Sequence, residues 1–138
     1  MTGHNRKYGQ IARRLIRTCP EFEDIKDSGV RIAYLASDKE KTKNRKTVFA
    51  ECTKVDDKYS WCCEYDFFIT VYEPNIEDFT EEQIEILMRH ELMHVGIDFE
   101  GDGTTFYIVP HDIEEFWGII DKFGLEWSDT DGARRSPE

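Results

Sequence analysis

Long apolar runs are absent from this 138-residue sequence, and without some 18 consecutive apolar residues no membrane-spanning helix is expected. The opening stretch Met1–Arg14 is polar and basic. It has no apolar core followed by a small-residue cleavage site, so no secretory signal is read there and the cytoplasm is the expected compartment. Cysteine is sparse. Cys19, Cys52, Cys62 and Cys63 form no CxxC pair, which argues against a four-cysteine structural zinc site, and without a signal they are expected as reduced thiols. The adjacent Cys62 and Cys63 read as small residues packed on opposite faces of a strand edge. No internal repeat or low-complexity tract stands out.

What is present suffices for one folded domain. A content of 39% hydrophobic and 13% aromatic residues supplies a core. The expected domain covers residues 1–127, with 128–138 a flexible tail. The net charge of −11 argues against general nucleic-acid affinity, but it is unevenly spread. Residues 1–60 carry 14 Lys and Arg against 9 Asp and Glu, whereas residues 61–138 carry 4 against 20. A basic first third can serve an anionic partner. The favoured reading is a solvated surface facing the acidic half of the same domain, so nucleic acid is a possible but not favoured partner.

Periodicity gives the order of elements. Tyr8, Ile11, Leu15 and Ile16 fall at helical spacing within Asn5–Thr18, ahead of Pro20. Val30–Ala36, Thr47–Val55 and Asp66–Tyr72 read as strands. Thr80 with Gln83 forms a capping box opening a helix whose polar edge is Glu81, Glu85 and Arg89. Apolar positions through Val95 and Ile97 continue its pattern, so the helix is expected to be buried on most sides. Phe99–Gly103 reads as a turn and Thr104–Val109 as a short strand. A final helix follows Pro110-His111-Asp112, with Ile113, Phe116, Trp117, Ile120 and Phe123 on one face. The expected fold is α+β: a three- to four-stranded sheet packed on the central helix, with flanking N- and C-terminal helices.

Chemistry concentrates in His90-Glu91-Leu92-Met93-His94. Two histidines four apart on a helix lie about 40° apart around its axis, so both imidazoles can reach one ion. Glu91, offset by one residue, can take a proton from a metal-activated water instead of binding the metal. Neutral imidazoles suit Zn2+, and three protein ligands leave the fourth position open. A compact HExxHxxGxxH site is excluded because position 97 is Ile and position 100 is Glu. Downstream candidates for the third ligand are His111, Glu114, Glu115, Asp98 and Asp102. His111 is preferred to Glu114, since it is fixed by Pro110 at a helix start beside Asp112, a carboxylate able to support it. Tyr107 and Tyr72 are candidates for stabilising an oxyanion.

These motifs carry a resemblance. Cys62 to Asn75, Arg89 to Asp98, Tyr107 to Phe116 and Gly124-Leu125-Glu126-Trp127 together resemble a metallopeptidase family found in phages and prophages. The likeness runs from about Val30 to Trp127, and a more distant one is to SprT-like minimal zincins. It implies a small zincin-like domain with His90, His94 and His111 as zinc ligands and Glu91 as catalytic base. It also implies a strand at Asp66–Tyr72 that pairs by its edge with an extended peptide. The expected function is zinc-dependent hydrolysis of peptide bonds in a polypeptide substrate. The alternative is a non-catalytic zinc-binding regulator or protein-interaction module of the same fold, either free or associated with DNA.

Overall fold

The computed structural model of the chain describes residues 2–59, 61–101 and 103–110. The expected final helix and the tail at 128–138 lie outside the described residues. Strand β1 (Thr2–His4) leads into helix α1 (Arg6–Thr18), which Asn5 caps by accepting the Tyr8 N–H at 3.2 Å. A short 3-10 turn, Pro20–Phe22, passes into helix α2 (Glu23–Ser28), which ends on Gly29 at φ 77°. Then come β2 (Ile32–Ser37), the small hairpin β3 (Thr42–Lys43) and β4 (Lys46–Thr47), and β5 (Ala50–Lys54). Strand β6 (Phe67–Tyr72), helix α3 (Glu81–Leu92) and the hairpin β7 (Val95–Glu100) and β8 (Gly103–Ile108) complete the described chain.

Four strands form the main sheet in the order β1-β2-β6-β5. β6 runs parallel to β2 and antiparallel to β5. Its alternation follows the pleat: Phe67, Ile69 and Val71 are fully buried, while Phe68, Thr70 and Tyr72 face a wetter side. Those three side chains join Tyr8, Leu15, Ile84, Leu87, Met88 and Leu92 in one core between sheet and helices. Because β6 is paired on both edges, the strand expected to receive a peptide cannot do so. The edge on the side of α3 belongs to β5.

The polar edge read on α3 meets a partner. Lys7 pairs with Glu81 at 3.1 Å, Arg14 with Glu85 at 2.8 Å, and Arg89 with Glu21 at 2.6 Å. The three pairs rise together in sequence, so α1 and α3 run side by side in the same direction. Part of the basic first third therefore does face acidic residues of the second half. Cys62 and Cys63 lie in the connection between β5 and β6 and not on a strand, with Cys62 exposed. Among the described residues no helix is long and apolar enough to cross a membrane.

Candidate metal centre

Helix α3 starts where its sequence says. The Thr80 hydroxyl accepts the Gln83 N–H at 3.2 Å, and the Gln83 side chain accepts the Thr80 N–H at 2.8 Å. Two helix-end donors are thus satisfied reciprocally. Nine of its twelve residues are buried, including His90 and Glu91, so its last turn is enclosed instead of lying on the surface.

The end of α3 departs from expectation. The helical pattern continues through Ile97, but the helix stops at Leu92 and Met93 caps it. The Met93 N–H is shared between the Arg89 and His90 carbonyls, and the His94 N–H reaches back only to Glu91, at 3.1 Å. This tightening to three-residue spacing ends the helix in a turn, and Val95 begins β7. His94 thus stands one residue past the helix cap. The turn still brings the two rings together, with centroids 5.2 Å apart and planes inclined by 64°.

His94 is held by backbone. Its Nδ1 lies 2.6 Å from the Val109 carbonyl oxygen, and the Val109 N–H donates to the His94 carbonyl at 2.8 Å. A carbonyl only accepts, so Nδ1 carries a proton, and in the neutral imidazole the lone pair is then on Nε2. That is the arrangement by which proteins orient a metal-binding imidazole. The pair extends the β7–β8 ladder, in which Val95 faces Ile108. Nothing in a valine side chain announces such a role, so sequence reasoning missed Val109.

Two further neighbours shape the site. Cys52 of β5 has its thiol pushed above the usual range, first by burial and then by the Glu91 charge. Gly96 leaves room for the Tyr107 ring, which lies across it: a Cβ there would fall 2.4 Å from the ring. Tyr72, the other expected oxyanion candidate, instead donates to Glu51 beside Lys41, at the end of β6 that precedes α3.

The third ligand is only partly addressed. Asp98 sits on β7 four extended residues beyond His94, a separation of about 13 Å that removes it from a shared ion. His111, Asp112, Glu114, Glu115 and Asp102 lie outside the described residues. Among the described residues, no group of three His, Cys, Asp or Glu side chains could hold a metal ion. The two adjacent imidazoles, one with its tautomer fixed, nevertheless supply two nitrogen donors of the kind zinc takes.

No curated protein and no solved structure matches the chain. The family model described as "Putative phage metallopeptidase" matches residues 3–133. That span takes in α1, the sheet, α3 and both histidines, so the chain belongs to this phage metallopeptidase family.

Proposed function

We propose that the chain is a zinc-dependent peptidase in which His90 and His94 hold the metal with His111, and Glu91 is the general base. Asp112 supports His111, with Glu114 the alternative third donor, and the whole is a zincin-like domain. The observation that carries the reading is the pairing of the His90 and His94 rings beside a buried Glu91, with His94 oriented by the Val109 carbonyl. Zinc, when bound, supplies a Lewis acid that polarises an amide carbonyl and makes water more acidic. Glu91 takes a proton from the water as its oxygen bonds to the carbonyl carbon, then hands that proton to the amide nitrogen, which departs as the C–N bond breaks. Its burial limits competition from bulk water for that proton. The outer edge of β5 offers backbone groups with which an extended substrate can pair.

The test compares the full-length chain with Glu91→Gln. Zinc content measured by elemental analysis should be unchanged, while cleavage of a fluorogenic peptide library should fall roughly 10²- to 10⁴-fold. Equal cleavage by both proteins would remove Glu91 from the mechanism. Loss of fold on chelation, with no turnover by either protein, would favour a zinc-holding regulator.

A further inference from the structure

The most concentrated charge on the molecule lies away from the candidate metal centre. Between positions 39 and 46 stand Lys39, Lys41, Lys43, Arg45 and Lys46 against a single acid, Glu40. The structure folds this segment into the β3–β4 hairpin, in which Thr42 faces Thr47 and Lys43 faces Lys46. Every residue from Thr42 to Thr47 is exposed. One feature of the hairpin costs free energy. Asn44 and Arg45 both take positive φ, 54° and 66°, a turn that glycine enters without the strain an arginine bears.

The hairpin is nonetheless fixed to the body. The Val48 N–H donates to the Lys41 carbonyl at 3.0 Å, and the Asn75 amide donates to both the Lys41 and Val48 carbonyls, at 3.0 and 2.8 Å. Lys41 is itself paired with Glu51. A two-stranded ribbon this short is marginal by itself, so these bonds set its direction. They also place it beside the start of α3, about 14 Å of helix from His90. Elsewhere the basic residues are more nearly balanced, since Lys7 and Arg14 of α1 already meet Glu81 and Glu85.

We propose that the β3–β4 hairpin is a docking finger for double-stranded DNA, with Lys39, Lys43 and Arg45 meeting backbone phosphates. The chemistry of the tip selects this occupant. From Thr42 to Thr47 it carries no apolar side chain, whereas protein interfaces rely on aromatic or apolar anchors and amphipathic membrane binding on an apolar face. A two-stranded ribbon also has the width that the DNA major groove admits. Holding the cations in advance reduces the ordering cost of binding. The acidic remainder of the chain limits the contact to this finger, so binding is weak, independent of sequence and steeply dependent on salt.

The experiment uses the full-length chain and a fluorescently labelled 20-base-pair DNA duplex, with anisotropy read between 50 and 200 mM salt. Three phosphate contacts predict that affinity falls about 40-fold over that range. Lys39→Glu with Lys43→Glu should weaken binding at least tenfold, with far-ultraviolet circular dichroism unchanged. The milder Lys39→Gln with Lys43→Gln keeps the test open where charge reversal disturbs folding. Arg45→Gly retains the turn and should reduce the salt dependence by about one phosphate. Arg13→Glu with Arg17→Glu on α1 should leave binding intact, and so should chelation of metal. The proposal is overturned by absence of binding at 50 mM salt, by binding that the hairpin variants do not weaken, or by loss of binding in the α1 variant. Hairpin-dependent binding to phosphatidylserine vesicles without binding to the duplex would also overturn it, in favour of a membrane surface.

Discussion

Substitution of His94 separates two roles of one ring, one seen in the structure and one proposed. Nδ1 serves the fold through the Val109 carbonyl at 2.6 Å, and Nε2 is the nitrogen proposed to serve the metal. Asparagine carries a donor close to the position of Nδ1 but has nothing in place of Nε2. His94→Asn should therefore keep the hydrogen bond and lose the ligand, whereas His94→Ala loses both. A hydrogen bond of this kind contributes about 1 kcal/mol net. In a chain of this size that is a difference of about 3 to 5 °C in Tm between the metal-free variants, with His94→Asn the more stable. Zinc at 100 times its Kd should raise the stability of the parent by about 2.7 kcal/mol, a shift on the order of 10 °C. Most of that gain should vanish in both variants. The assay is thermal denaturation with and without chelator, alongside zinc content by elemental analysis. Equal metal-free Tm values for the two variants would refute the structural role of Nδ1. A parent-like zinc shift in His94→Asn would refute the ligand role.

Other perturbations test the surroundings. Thr80→Ala removes one half of the capping box and should cost about 1 kcal/mol, read as a Tm lower by a few degrees. Gly96→Val places carbon atoms where the Tyr107 ring lies, 2.4 Å from the built Cβ. The half-exposed ring has to swing out, so tyrosine fluorescence should change and zinc affinity should fall as the neighbouring His94–Val109 bonds shift. Burial alone would raise the Glu51 carboxyl, but hydrogen bonds from Lys41 and Tyr72 hold it below the usual range. A depressed carboxylate contributes stability above its unfolded pKa and loses it as pH falls through the folded value. Lys41→Met should therefore lower Tm at pH 7 only slightly, the pair being partly exposed, with the gap closing below about pH 4. A gap that widened in acid would contradict the assignment.

Where local chemistry decides an element, the sequence was a good guide. Asn5 and Thr80 start their helices because a side-chain oxygen can accept a helix-end N–H. The edge Glu81, Glu85 and Arg89 required polar company, and Lys7, Arg14 and Glu21 provide it. The strands at β2 and β6 follow from β-branched and aromatic runs, whereas the single strand expected at Thr47–Val55 is divided, its start pairing in β4 and its later part forming β5. Which strand lies inside the sheet does not follow from such runs. The parallel pairing of β2 with β6 joins residues 35 apart in sequence, and no local pattern encodes it. This is how β6, which the resemblance implies as the peptide-binding edge, occupies the protected interior, leaving that edge to β5.

The same limit governs the candidate site. Val95-Gly96-Ile97 satisfies a helical period and a strand period equally well, because three residues cannot distinguish 3.6 from 2. Cross-strand partners decide the matter: Val95 gains Ile108, Gly96 gains the face of Tyr107, and Ile97 gains Phe106. Ending the helix at Leu92 changes how the second histidine is controlled. A ring on a continuous helix would take its direction from α3 alone, whereas His94 takes it from the turn after α3 and from the backbone at the end of β8. Position 109 leads directly to Pro110 and His111. A displacement of β8 would disturb the donor on His94, while His90, held on α3, would stay in place.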